Sequence, residues 1–443
     1  MNNFFILSKN QINRIKKNLL AKLTSESSQV VTQVLYPPLM ILFWGLEQFG
    51  IWLFLISLTS MFSMLNFNFT DASLQEMSIY NNQKKYNKVN EIFQNTLGLI
   101  IINLLILSLI IFIYLFFFEI NFLIIEGLNL NDVKIIFFLI ILSVYIDIFN
   151  SLLNIGIWYQ GKQYISVNIL TIIEIISKLS IVLAGYFFEN LIYASIILVI
   201  FSLTKTIVFY YYFNLFNSFL KFSLTELSKK KSLRLFKLSI GHFTDLLANT
   251  IRNSGLIVLI GFFFNANLVA FISTAKTLFY FFPLRFFNIL DSISLFEYAK
   301  GFASKNISKL KNNQKRHILL VLIAGISFIL TSVLVGPYLY NIWLSGRFNI
   351  TSIILILIIF DVFLIVLRNS FIIVLRSTNN MFRIGLFEFI LSVITIISCY
   401  YFLTLGKNIE TCLMIILIGS SISLFFSINT VRLFYKNKSQ INK

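Results

Sequence analysis

The chain has 443 residues, of which 58% are hydrophobic and 12% charged, and its formal net charge is +18; mean hydropathy is +0.84. Soluble domains run near roughly 45–50% apolar and about 25% charged, so a soluble globular domain is excluded and an all-α polytopic membrane protein is indicated. The apolar excess covers the whole length, leaving no polar stretch for a nucleotide-binding domain. No phosphate-cradling Gly-rich loop, HExxH or CxxC occurs, so no cofactor and no metal is implied.

About twenty apolar residues cross the hydrocarbon core of a bilayer. Runs of that size fall near 24–44, 48–78, 92–118, 133–158, 164–187 and 190–215 in the first half of the chain. In the second half they fall near 237–264, 268–298, 317–340, 351–375, 384–404 and 409–434. The stretch Met1–Leu23 is basic and polar and does not read as a signal peptide. The first span is the weakest, because SESSQVVTQ opens it and Pro37–Pro38 interrupts it. Cys399 and Cys412 sit in the last two apolar runs and read as buried, inert thiols.

Charge orients the set. One side of the membrane receives 27 Lys and Arg residues and the other only Lys134, Arg347 and Lys407; the remaining six lie within spans. Lys and Arg mark the cytoplasmic side, so both termini are expected there, and the net charge needs no nucleic-acid partner. The outer loops are short. The longest, about 119–132, contains neither Arg nor His, which argues against a lipid-linked-sugar polymerase or ligase with catalytic residues in a large outer loop.

The chain repeats internally. Asp147 and Glu174 match Asp361 and Glu388 at an offset of 214, and Asp71 in TDASLQEMS matches Asp291 in LDSISLFEYA at 220. The offset of 220 also lays Thr24, Ser25, Gln29 and Thr32 on Thr244, Asp245, Asn249 and Arg252. Each half then opens with a helix that is polar early and apolar late. The expected architecture is twelve transmembrane helices in two pseudo-symmetric six-helix lobes, 1–220 and 221–443, around a central cavity, an arrangement typical of alternating-access transporters.

Charges inside hydrocarbon are costly and concentrate at functional paths. His242, Asp245, Asn249 and Arg252 are spaced three, four and three apart and share one helix face. The stripe reads as the wall of a hydrated cavity, with Ser25, Gln29 and Thr32 opposite; the competing reading is a helix contact in which Asp245 neutralises Arg252. Lys276 and Arg285 flank Pro283, and the nine residues between them place them on opposite faces of a straight helix. They share a cavity only if the span bends or unwinds. Glu174 and Lys178 are placed to pair within one helix, and Asp361 and Arg368, seven apart on one face, to pair directly or through neighbours; the competing reading of these groups is cavity lining. Asp147 heads a polar stripe with Asn150 and Asn154. Lys205 has no acid in its own span and needs a partner or a ligand. Around the seventh and eighth spans Arg252, Lys276 and Arg285 outnumber the acids, which suits a phosphate ester and suits an organic cation badly.

Those residues sit in a chain that resembles polysaccharide-biosynthesis flippases of the Wzx type, within the multidrug/oligosaccharidyl-lipid/polysaccharide (MOP) exporter superfamily. The resemblance covers essentially the whole chain. It rests on the architecture, on LTSESSQVV, on GLEQFGIW (45–52) at the exit of the first span with its counterpart NANLVAFISTAK (265–276), and on QGKQY (160–164) after the fourth. It implies a transporter and no enzyme: an inner-membrane protein that flips undecaprenyl-diphosphate-linked oligosaccharide by alternating access, driven by an ion gradient. Arg252, Arg285 and Lys276 would then hold the diphosphate, Asn249, Gln29 and Thr32 would hydrate the glycan, and Asp71, Asp245 and Glu174 are the candidates for ion coupling. Its implied partners are the lipid-linked oligosaccharide, membrane lipids and the polysaccharide polymerase machinery. The alternative within the superfamily is a multidrug extruder, which should show unpaired acids instead.

Overall fold

The computed structural model describes residues 9–63, 69–117, 129–303, 307–348, 350–378 and 380–441. Every regular element among them is a helix: α1 (Lys9–Ser63), α2 (Phe69–Asn82), α3 (Tyr86–Phe117), α4 (Leu130–Trp158), α5 (Gln163–Phe188) and α6 (Leu191–Phe216), followed by α7 (Lys229–Phe263), α8 (Ala266–Lys276), a π-helical turn (Thr277–Phe281), α9 (Phe282–Ala303), α10 (Ile307–Trp343), α11 (Ser352–Ser377), α12 (Phe382–Thr404) and α13 (Ile409–Ile441).

Eleven helical stretches among the described residues are long and apolar enough to cross a membrane. The first, Lys16–Met61, has 46 residues, or about 69 Å at 1.5 Å per residue, more than twice the thickness of the hydrocarbon core. It is two arms. Gly45 adopts φ 78° and ψ 169°, a conformation open to glycine and strained for other residues. With its arms counted separately, twelve crossings result. The helix continues through Pro37 and Pro38, so the interruption falls at Gly45 and not at the proline pair. At the corresponding turn of the second half, Asn265 caps α8 by accepting the Leu268 N–H at 3.0 Å.

The chain forms two compact units, one ending at Ile240 and the other beginning at Gly241. In the N-terminal unit α4 packs on α6, α1 on α5 and α2 on α3. Gly156 lets the Phe213 ring lie against α4, where a Cβ would stand 2.4 Å from it. The QGKQY turn is held from two sides: Gln160 donates to the Phe216 carbonyl at 2.9 Å, and Asn18 of α1 donates to the Gly161 carbonyl at 3.2 Å. The connection from α6 to α7 is tied down on α3. Asn95 donates to the Glu226 carbonyl and accepts from the Ser228 N–H, and Lys231 and Arg234 pair with Glu91 and Glu76.

In the C-terminal unit α11 is the central helix and packs against α9, α10 and α13. Of its apolar window 61% is buried within the protein, against 17% for α10. This explains why α11 is apolar nearly all round apart from Asp361, Arg368 and Asn369. A largely buried helix needs no polar face, and a charge on its buried part must find a partner inside.

Candidate functional site

The polar stripe of α7 is where the buried charges of the C-terminal unit gather. Asn249 turns its Nδ2 back to the Asp245 backbone carbonyl at 2.9 Å, and its Oδ1 accepts from Arg252 Nη2 at 3.0 Å. Arg252 is only 6% exposed, and its Nε, shielded from solvent, has no hydrogen-bond partner among the described residues. One turn beyond Asn249, Asn253 does for lysine what Asn249 does for arginine: its Oδ1 accepts from Lys276 Nζ at 2.8 Å. Lys276 is likewise buried, and its ammonium lies 5.0 Å from the centre of the Tyr280 ring, a cation–π contact. Both cations are thus held by neutral amides, and among the described residues neither forms an ion pair within 4.0 Å.

Lys276 ends α8, and the π-helical turn follows it directly. There the Phe282 N–H reaches back to the Thr277 carbonyl, and Pro283, which has no N–H to give, comes next. A proline cannot supply the regular i→i−4 bond, and the widened turn is the local answer, a feature that often accompanies functional sites. The span is therefore not a straight α-helix between Lys276 and Arg285. Arg285 is half-buried on α9.

The remaining acids are arranged differently from the simplest sequence pairings. Asp245 does not serve Arg252 as its direct partner: its Oδ1 accepts from Arg368 Nη2 at 3.0 Å, and its Oδ2 lies 3.7 Å from Arg376 Nη2. Arg368, 2% exposed, also places its Nε 3.2 Å from Glu388 Oε1, and Glu388 in turn accepts from the Ser423 hydroxyl. Asp361 takes the Ser420 hydroxyl at 2.5 Å and lies within electrostatic reach of both Arg252 and Lys276. Asp361 and Arg368, seven residues apart, thus go to different partners, because Arg368 is claimed by helices α7 and α12.

In the N-terminal unit Lys205 finds its acid one helix pair away, on Asp147 at 2.9 Å, with Asn150 donating to the same carboxylate at 3.2 Å. Lys178 points from α5 to Thr32 of α1 at 3.5 Å, in a groove of about 330 Å³ lined also by Ser27, Ser28 and Tyr36. Thr32 donates its own hydroxyl to the carbonyls of Ser28 and Gln29. Gln29 and Glu174 are half-buried on α1 and α5. Asp71 lies on α2 and His242 on α7; their side chains are outside the described residues. Sequence reasoning missed Asn253, Ser420 and Ser423. Asn253 was legible beside Arg252 in TIRNSG, whereas serines in an apolar helix carry no signal until a carboxylate is seen beside them.

No protein-family model and no curated protein matches the chain. Solved structures do. An inward-facing multidrug resistance MATE family transporter of the MOP superfamily aligns over 97% of this chain and 99% of its own, with a TM-score of 0.61 and 13% identity. The lipid II flippase MurJ, in an inward closed conformation, aligns over 94% of this chain and 87% of its own, with a TM-score of 0.69 and 15% identity. A MOP superfamily transporter from Pyrococcus furiosus, described by the reverse polarity of its binding pocket, aligns over 96% and 94%, with a TM-score of 0.52 and 12% identity. The chain has the all-helical fold of MOP superfamily transporters.

Proposed function

We propose that the protein is a Wzx-type flippase that moves undecaprenyl-diphosphate-linked oligosaccharide from the cytoplasmic to the outer leaflet of a bacterial inner membrane. The observation that carries this reading is the buried pair Arg252 and Lys276, two cations held by asparagine oxygens in place of carboxylates. A buried cation without an ion-pair partner is expensive, and a diphosphate is the ligand that repays it. A guanidinium offers phosphate oxygens forked, charge-assisted hydrogen bonds, and an ammonium offers a point charge. The unmet N–H of Arg252 Nε is a donor ready for such an oxygen. Asn249 and Asn253 fix where the two charges sit, and Arg285 follows on the same bent span. Gln29, Thr32 and the hydroxyls near them on α1 are suited to a hydrated glycan.

The arrangement is poorly suited to organic cations. Asp361 lies within electrostatic reach of both protein cations, and Asp245 is taken by Arg368 and Arg376. The same pairing makes Asp245 a poor ion-coupling group and leaves Asp71 and Glu174 of the three candidates. Likeness to MurJ, itself a lipid II flippase, supports a lipid-linked substrate. A fluorescent undecaprenyl-diphosphate oligosaccharide in proteoliposomes tests the reading. Wild type should move it, Arg252→Ala should abolish movement, and Arg252→Lys should restore part of it. Transport of ethidium by the wild type, with none of the lipid, would sink the flippase reading in favour of multidrug export. Normal flipping by Arg252→Ala would remove Arg252 from the site.

A further inference from the structure

One buried cluster lies outside the site just described. His317 of α10 is 5% exposed, although its neighbours Lys315 and Arg316 are exposed. Its Nε2 lies 2.9 Å from Asp291 Oδ1 and its Nδ1 lies 2.7 Å from Ser294 Oγ, both on α9. The Tyr298 ring stands edge-on to the imidazole at 6.3 Å. In the sequence His317 ends a basic run (Lys309, Lys311, Lys315, Arg316) and directly precedes the apolar run that begins at Ile318. It therefore sits where the basic-loop side of the membrane gives way to hydrocarbon.

The partners of the ring can satisfy its hydrogen bonds in either protonation state. A neutral imidazole is satisfied when Nε2–H donates to Asp291 and Nδ1 accepts the Ser294 hydroxyl hydrogen. An imidazolium is satisfied by the same heavy atoms: both nitrogens donate, and the Ser294 hydroxyl rotates to accept. Taking up a proton requires no side-chain movement, and the positive charge it adds is answered by Asp291. A backbone carbonyl at Nδ1 would have fixed a hydrogen there permanently.

The other groups that reach this part of α10 are engaged elsewhere. On α11, the Phe371 carbonyl accepts from Gln314 at 3.1 Å, and Arg368 and Arg376 turn to Asp245. From α13 the nearest titratable ring, Tyr435, lies under the ammonium of Lys311. Among the described residues, Asp291 is thus the charged group that faces the imidazole.

The internal repeat shows that this chemistry is not required for packing. At an offset of 221, Ser73 corresponds to Ser294 and Thr96 to His317. The N-terminal unit makes the same helix-to-helix contact with two hydroxyls, Thr96 Oγ1 to Ser73 Oγ at 2.6 Å. A threonine therefore closes this joint where only packing is needed, and the C-terminal unit has a titratable pair in its place. Imidazole is the side chain that changes charge between about pH 5 and 8.

We propose that His317, held between Asp291 and Ser294, is a proton-binding site through which pH on the basic-loop side of the membrane sets the rate of transport. The proton comes from water on that side, binds Nδ1 as the Ser294 hydroxyl turns to accept from it, and returns to the same water when it leaves. The proposal rests on the transporter reading for its rate, whereas the binding itself is measurable without transport.

The test uses the full-length protein in lipid nanodiscs, labelled at the histidine ring carbons. The chain has two histidines, so His317→Thr, which copies the N-terminal joint and preserves the contact to Ser294, identifies the His317 signal by its loss. That signal should respond to pH across the range in which imidazole changes charge, and Asp291→Asn should alter that response. In proteoliposomes carrying the fluorescent undecaprenyl-diphosphate oligosaccharide, a pH step on the basic-loop side should change the wild-type rate, and His317→Thr should lose that response while it still flips lipid. A His317 ring that does not titrate in this range overturns the proposal whether or not lipid moves. So does a His317→Thr protein with the wild-type pH response. A titrating ring in a protein that flips nothing upholds the proton site and overturns the flippase reading instead.

Discussion

The two units share intramembrane acids at corresponding positions, Asp147 with Asp361 and Glu174 with Glu388, and surround them differently. Asp147 of α4 and Asp361 of α11 are related by an offset of 214, and their partners on the last span of each unit, Lys205 and Ser420, by 215. In the N-terminal unit the partner is a cation, the ion pair closes on itself, and the Asp147 side chain is 44% exposed. In the C-terminal unit the partner is a hydroxyl, and the buried Asp361 lies within electrostatic reach of Arg252 and Lys276. Asn154 and Arg368 are also related by 214. Asn154 is neutral, whereas Arg368 ties Asp245 and Glu388 together across three helices. Thr32 and Arg252 differ in the same direction. The same backbone plan therefore hosts different pairings in the two units, and the larger buried charge network lies in the second.

Arg368 is the strongest test of that contrast. Removing one partner of a buried ion pair leaves an uncompensated charge, at a cost of about 3–5 kcal/mol. Arg368→Ala strands Glu388 and leaves Asp245 only the longer contact to Arg376, so it should lower the thermal unfolding midpoint further than Asp361→Asn or Lys205→Ala, with much of the protein lost to aggregation. Asn154→Ala, at the equivalent position, should shift the midpoint little, since the Asn154 Oδ1 has no partner to lose among the described residues. Equal shifts in the two variants would mean that Arg368 is not the tie its geometry indicates.

Asp361 gives a smaller effect with a more specific signature. Asp361→Asn removes the carboxylate facing Arg252 and Lys276 and should lower stability, by roughly 1–3 kcal/mol for the disturbed buried polar network. It should also raise the local positive potential and tighten binding of a lipid diphosphate, read as a lower half-saturating concentration in the flipping assay. Asp147→Asn should leave that concentration unchanged. Weaker lipid binding in Asp361→Asn would show that the carboxylate positions the cations for the substrate.

Much of this was legible in the sequence. The crossings, the charge asymmetry and the 214 and 220 offsets followed from periodicity alone, because a span must be about twenty residues long and every intramembrane charge stands out against an apolar background. Pairing was less legible. Helical spacing suggests partners on the same helix, such as Asp361 with Arg368, but a buried guanidinium on the central helix reaches whichever neighbour brings a carboxylate, and α7 and α12 both do. Lys205, without an acid in its own span, was rightly marked as a cation in need of something outside it. The turn at Gly45 was legible both as a motif and as the boundary between the first two apolar runs, whereas Pro37 and Pro38, which read as an interruption, lie inside the continuous helix. His317 was invisible: a single histidine at the edge of a basic run reads as one more surface residue until Asp291 and Ser294 are seen around it.

The smallest expected effect belongs to the N-terminal ion pair. Lys205→Ala removes a contact in which the carboxylate is nearly half exposed, and such pairs contribute about 0–1 kcal/mol. The unfolding midpoint should therefore move by no more than a degree or two, and raising the salt concentration should erase the difference. The Lys205→Ala and Asp147→Asn double variant should then be no less stable than either single one. The result bears on where Asp147 points. Small, salt-sensitive losses require water around a carboxylate in the middle of a membrane-spanning helix, as a hydrated transport path provides. A loss of several kcal/mol that salt does not touch would instead place the pair in a dry environment, and the two lobes would be more alike than their partners, lysine and serine, indicate.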